Sequence, residues 1–179
     1  MVSDRLIDIP PAPCFPATRN NSEDTVMDEI NSIKRRLEEL LESQKLAVLA
    51  THNQGQPYGS VVSFAATKDL KQILFATARS TRKYSYLKEN VRVAMVIDNR
   101  GENAERDLHK AIAVTATGMA EETAMGEEEA YLSIYLKKHP YLKDFVNAPT
   151  CALVRVQVDT YYLVRRFQEV TELHVKDWT

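Results

Sequence analysis

Between Thr77 and Lys83 the chain sets three hydroxyls (Thr77, Ser80, Thr81) among three cations (Arg79, Arg82, Lys83). The surrounding stretch, FATARSTRKYSYLKENVRVAMVID from Phe75 to Asp98, reads as strand, tight turn, short helix, strand. Cations then crowd the amino end of a helix. The backbone's partial positive charge there makes each exposed Arg or Lys unfavourable by roughly 0.3–1 kcal/mol. Such crowding makes sense when hydroxyls, unpaired backbone N–H groups and cations together hold an anion, most simply a phosphate. The competing reading is a capped helix whose basic residues are solvated. Ser60 and Ser63 lie on the preceding strand, and Thr77 ends the next one. Pairing of these two strands would leave a groove with phosphate donors at one end and strand backbone along its length. A groove of that kind suits a phosphorylated, flat, heteroaromatic ligand.

Other chemistries lack their residues. With five glycines there is neither GxGxxG nor GxxxxGK, so Rossmann and P-loop nucleotide sites have no support. His52, His109, His139 and His174 never pair at metal-ligand spacing, and we assign none of them a role. Cys14 and Cys151 are far apart and form no CxxC, which argues against a disulfide framework or a thiolate metal site. There is no GxSxG elbow.

The elements that must position the cradle follow from periodicity. The 179 residues carry 44% hydrophobic and 27% charged side chains, ordinary for a globular domain, and a net charge of -2 gives no basic field for nucleic acid. No apolar run approaches the roughly 18 residues of a membrane span. Pro10, Pro11, Pro13 and Pro16 make residues 1–21 an extended arm without the apolar block of a signal peptide, so a cytoplasmic protein is expected. Residues 22–179 form one expected domain. Its helix over 22–43 carries an apolar stripe of Val26, Ile30, Ile33, Leu37, Leu40 and Leu41. The barrel region, 45–179, opens with a nearly continuous apolar strand from Leu46 to Thr51, expected to be buried on both faces. Further strands are expected at 58–67, 72–77, 92–98, 111–120, 151–167 and 169–175. Successive hairpins indicate an antiparallel meander. Gly118 marks a bulge or close approach, and the long strand from Cys151 is expected to bend near Asp159. A helix over 126–138 carries acids first and lysines last, as its dipole prefers. The fold class is therefore α+β, mostly antiparallel: six or seven strands with flanking helices, closed or nearly closed into a barrel.

The residues from Leu46 to Asp98 resemble the flavin-binding split-barrel family that includes pyridoxamine 5′-phosphate oxidase. The resemblance is carried by Gly55-Gln56-Pro57, Val61-Val62-Ser63-Phe64, Phe75-Ala76-Thr77 and Thr81-Arg82-Lys83, then Leu87 followed by Asn90-Val91-Arg92-Val93. Asp98-Asn99-Arg100 with Asn103 and Asp107 resembles a subgroup of oxidase-related, FMN-binding members. The resemblance implies a homodimeric split β-barrel with FMN at the dimer interface. Thr81, Arg82 and Lys83, with Arg79 and Ser80 beside them, would hold the FMN phosphate. Val61, Val62, Ser63 and Thr77, with Ser60 alongside, would line the ring or the ribityl chain, largely through backbone groups. Asn99 and Arg100 would approach the flavin from across the interface.

The chain also departs from the family pattern. Its ending, ELHVKDWT, lacks the R-L-x-P-type substrate motif of true pyridoxamine phosphate oxidases, which argues against pyridoxal phosphate synthesis. Some relatives degrade haem with a carboxy-terminal histidine, in whose region His174 lies, and others bind a deazaflavin. The expected function is an FMN-dependent oxidoreductase acting on a small molecule. The alternatives are a flavin-binding electron carrier without its own substrate, or a structural dimer whose basic turn is solvated. No nucleic-acid or membrane partner is expected.

Overall fold

Seven strands form one antiparallel sheet in the structure, a computed structural model that describes residues 21–99, 111–124, 126, 128–165 and 169–178. They are β1 (Leu46–Asn53), β2 (Gln56–Ala66), β3 (Gln72–Ala78), β4 (Arg92–Asp98), β5 (Ile112–Glu122), β6 (Cys151–Arg165) and β7 (Glu169–His174). The helices are α1 (Asn21–Ser43), α2 (Arg82–Glu89), α3 (Glu128–Lys138) and α4 (Lys143–Val146). The chain divides into two compact units, Met1–Ile33 and Lys34–Thr179. All seven strands lie in the second. The first contributes the opening part of α1, and the expected proline-rich arm falls almost wholly outside the described residues.

The strand order is β3-β2-β1-β4-β5-β6-β7, and an added β3–β6 pairing closes six strands into a barrel. The expected fold class is thus observed. Closure depends on the length of β6. Its first half, Cys151–Gln157, pairs with β3, its second half, Thr160–Arg165, pairs with β7, and β5 runs along its other edge. Between these halves the register slips, because Thr117 faces Thr160 while Gly118 faces Val158, leaving Asp159 as the extra residue of a bulge. The sheet is so tight there that a Cβ on Gly118 would lie 2.0 Å from the Gln157 carbonyl oxygen. The bend near Asp159 and the close approach at Gly118 both occur.

Leu49, Phe64, Phe75, Met95 and Ile97 have no exposed surface and fill the core. On the other face of β2, β3 and β6, Ala65, Leu74, Ala76, Cys151 and Leu153 pack with Tyr135 of α3. β1 corrects one expectation. It is buried on one face only: Ala47, Leu49 and Thr51 are buried, whereas Leu46 and Val48 are 56% and 37% exposed. The apolar run misled because it does not say which face another element covers: α3 packs on the outside of β2 and β3, while Leu46 and Val48 stay exposed.

His139, just past α3, is fully buried. Its Nε2 lies 2.8 Å from the Phe64 carbonyl oxygen and its Nδ1 3.2 Å from the Tyr141 hydroxyl. Burial holds its pKa below the ordinary imidazole value, with Lys138 and Lys45 adding to the effect and the Phe64 hydrogen bond opposing it.

Candidate functional site

The barrel is split where the cradle lies. β2 pairs with β3 only through Phe64–Ala66, opposite Phe75–Ile73. Continuing that register would set Ala76, Thr77 and Ala78 against Ser63, Val62 and Val61, but the strands part there. The stretch Gln56–Ser63 keeps a strand neighbour on its β1 side alone, while the end of β3 turns its ladder to β6. The parting lies where β3 ends and the turn into α2 begins.

Parity sorts the residues along β2. Val48 and Leu46 face Val61 and Ser63 in the ladder, so Val61 and Ser63 share the outer face with these exposed side chains. Ser60 and Val62 stand opposite Leu49 and Ala47 on the inner face. The Ser60 hydroxyl is buried and has no hydrogen-bond partner among the described residues. Ser60 and Ser63 therefore do not act together.

The turn is built by two hydroxyls. Thr81 Oγ1 donates to the Ala78 carbonyl at 2.8 Å and accepts the Tyr84 N–H at 3.4 Å, capping α2. The buried Thr77 hydroxyl lies 2.9 Å from it. Thr77 Oγ1 also lies 3.5 Å from the Ala78 carbonyl, so the two hydroxyls share that acceptor and either can donate to the other. Thr81 thus spends its hydroxyl on shaping the turn. The first i to i−4 bond of α2 is Ser85 N–H to Thr81 carbonyl at 3.1 Å. The N–H groups of Arg82 and Lys83 precede it and have no partner within the helix.

The three cations separate. Arg79 turns away from the helix end. Its Nη1 donates to the Pro149 carbonyl at 2.7 Å and to the Cys151 carbonyl, and its Nη2 pairs with Glu122 Oε1. The other Glu122 oxygen accepts the Tyr84 hydroxyl at 2.7 Å. Burial pushes the Glu122 carboxyl up, but the Tyr84 and Arg79 hydrogen bonds outweigh it and hold the group below its ordinary value. Arg82 is exposed, its guanidinium 5.4 Å from the centre of the Tyr58 ring, which in turn meets Tyr86 edge-on at 5.8 Å. Lys83 is half-buried with no ion pair among the described residues, and the first turn of α2 holds no acidic residue. Ser80 is exposed at the corner of the turn.

Asn99 closes the β4–β5 connection, its Oδ1 accepting the Ile112 N–H at 2.9 Å. Arg100 lies outside the described residues. Glu122 and Tyr58 were missed in the sequence. Neither carries a motif, and Glu122 reaches the turn only because β5 and β3 flank β6. Among the described residues no cluster of His, Cys, Asp or Glu could hold a metal ion, and no helix is long and apolar enough to cross a membrane.

The closed six-strand sheet that parts between β2 and β3 defines a split-barrel class of protein. The chain belongs to the pyridoxamine 5′-phosphate oxidase family, whose pattern matches residues 33–165. It is similar in fold to a haem-binding protein from Mycobacterium smegmatis, with TM-score 0.69 and 17% identity. That match covers 78% of this chain and 56% of the other. A Clostridium acetobutylicum protein related to general stress protein 26, of the pyridoxinephosphate oxidase family, aligns with TM-score 0.65 and 15% identity, covering 83% of this chain and 98% of its own. A FAD-binding protein from Mesorhizobium loti gives TM-score 0.57 and 19% identity, covering 73% and 90%. At these identities the likeness is one of fold. No curated protein matches the chain in sequence.

Proposed function

We propose that this protein is a cytoplasmic, FMN-binding flavoprotein that acts as a homodimer, and that it is an oxidoreductase for a small molecule. The observation that carries this reading is the pair Arg82 and Lys83. Both stand in the first turn of α2, beside two N–H groups without helical partners, and with no acidic residue in that turn. A dianionic phosphate relieves that conflict. Membership of the family and the FAD-binding description of the Mesorhizobium loti protein support a flavin as the ligand.

In this reading Arg82, Lys83 and the N–H groups of the turn hold the phosphate, and Thr81 and Thr77 fix the turn. Val61 offers an outer face, and the unpaired edge of β2 offers backbone groups, to a flat ring, whereas the Ser63 hydroxyl is engaged by Tyr135 and contributes backbone. Ser60 and Val62 contribute backbone only, since their side chains face inward. Asn99 belongs to the part of the site shared with the second copy. FMN supplies the electron-transfer chemistry when bound, and the protein binds and orients it.

Haem is the weaker reading for this chain. His174 has one ring nitrogen 3.0 Å from the Thr160 hydroxyl and the other 3.4 Å from Glu172, so iron ligation would require the ring to give up one of these partners. The test is the visible spectrum of purified protein with mass identification of the released chromophore. Oxidised FMN absorption and mass are expected. A released deazaflavin would replace the cofactor while keeping the phosphate site. Colourless protein that takes up no FMN would end the reading. Bound, reducible FMN without turnover on any substrate would make the protein an electron carrier.

A further inference from the structure

The turn that presents Arg82 and Lys83 is held at both ends by one carboxylate. Glu122, at the end of β5, pairs through Oε1 with Arg79, just before the turn. Through Oε2 it accepts the hydroxyl of Tyr84, the residue after Lys83. Arg79 is tied in further by its N–H to the Thr150 carbonyl at 2.8 Å and by its guanidinium to the Pro149 and Cys151 carbonyls. Glu122 itself is anchored in the sheet opposite Val154 of β6. The segment from Ser80 to Lys83 is thus bracketed by contacts to a rigid ladder, and its middle carries the two cations left over for a ligand.

We propose that Glu122 is a positioning residue for the phosphate-binding turn, acting through Arg79 and Tyr84 without touching the ligand. The proposal rests on the phosphate reading above. It takes Arg79 out of the set of phosphate ligands and gives it a different task. Neutralised by Glu122, Arg79 adds no net charge to the cradle, but it fixes where α2 begins. Tyr84 fixes the rotation of the first helical turn, and with it the direction of the Arg82 and Lys83 N–H groups. Small misplacements matter here, because charge-assisted hydrogen bonds to phosphate depend on both distance and angle.

The test compares FMN with riboflavin, which is the same ring and ribityl chain without the phosphate. Both are titrated into the full chain, wild type, Glu122→Gln and Tyr84→Phe, by quenching of flavin fluorescence. Wild type should favour FMN over riboflavin. That preference should fall by about tenfold in Glu122→Gln and by about threefold in Tyr84→Phe, as expected for loss of ordered charge-assisted contacts. Riboflavin affinity should stay within about twofold. In an Arg82→Ala/Lys83→Ala background, Glu122→Gln should no longer alter the preference. An unchanged preference in both single variants overturns the proposal. An equal loss of FMN and riboflavin affinity also overturns it, since that marks a merely structural role. Tyr84→Phe carries the test if Glu122→Gln fails to fold. Failure of the phosphate reading itself looks different: wild type would then bind FMN no better than riboflavin.

Discussion

Val48 and Val61 stand directly opposite each other in the β1–β2 ladder, on the outside of the barrel, 37% and 62% exposed. Leu46, 56% exposed, continues the strip along β1. An apolar strip beside the unpaired edge of β2 is the surface a second copy would cover in the proposed dimer. Val61→Glu should therefore turn a dimer into a monomer in sedimentation velocity, raising the dissociation constant by about tenfold or more. Thermal stability of the isolated chain should hardly change, because the side chain is already exposed. A dimer of undiminished strength would place the interface elsewhere.

Gly118 supports a second prediction. An alanine Cβ there would meet the Gln157 carbonyl oxygen at 2.0 Å and Val158 Cα at 3.0 Å, both backbone atoms that cannot rotate aside. Gly118→Ala should lose about 2–3 kcal/mol in urea unfolding. At Gly59 the nearest atom is a Val48 methyl at 3.8 Å, so Gly59→Ala should stay within about 0.5 kcal/mol of wild type. Equal losses at the two sites would deny the tight bulge.

These two sites also mark how much the sequence reveals. Gly118 and Asp159 were legible as the bulge because a glycine within an alternating strand, and a long strand that must serve two neighbours, both leave local signs. The turn around Thr81 was legible because hydroxyls and cations against a helix dipole are a local conflict. What depends on distant partners was not. Leu46 and Val48 read as core because an apolar run does not say which face another element covers. Arg79 looked like a phosphate ligand because its partner, Glu122, lies on another strand. Closure of β3 onto β6, which brings that partner near, has no local signature at all.

Lys138 should make stability rise with pH in the alkaline range. Its Nζ donates to the Leu41 carbonyl at 2.6 Å and lies 4.0 Å from the centre of the Phe64 ring. Burial lowers its pKa from 10.5 to about 8, with Glu42 opposing and Lys45 reinforcing the shift. Between those values the unfolded chain binds more protons than the folded one, so folding gains stability as pH rises through the window. Wild type should therefore gain on Lys138→Met, which has no titrating group there, between pH of about 7 and 10 in urea unfolding. Parallel curves would show that the lysine titrates normally.

His139 predicts the opposite end of the scale. Its Nε2–H donates to the Phe64 carbonyl, and burial, followed by the nearby Lys138 and Lys45 charges, disfavours its protonated form. The unfolded histidine takes up a proton near its ordinary value of 6.5 while the folded one resists, so stability falls as pH drops below that value. At neutral pH His139→Phe should cost about 1–3 kcal/mol by orphaning the Phe64 carbonyl. That deficit should shrink toward pH of about 5, where only wild type has the acid-sensitive group. A deficit independent of pH would contradict the buried neutral imidazole.

The central claim is that Arg82 and Lys83 hold the phosphate of FMN. Calorimetric titration of wild type and of Arg82→Ala/Lys83→Ala with FMN tests it most directly. Wild type should bind with a Kd below about 100 µM. The double variant should bind at least about tenfold more weakly, since charge-assisted contacts are worth roughly 1.5–3 kcal/mol each. Its thermal midpoint without ligand should not fall, because removing cations from a helix amino end relieves an unfavourable interaction. Equal FMN affinity in the two proteins, or none in either, would contradict the account.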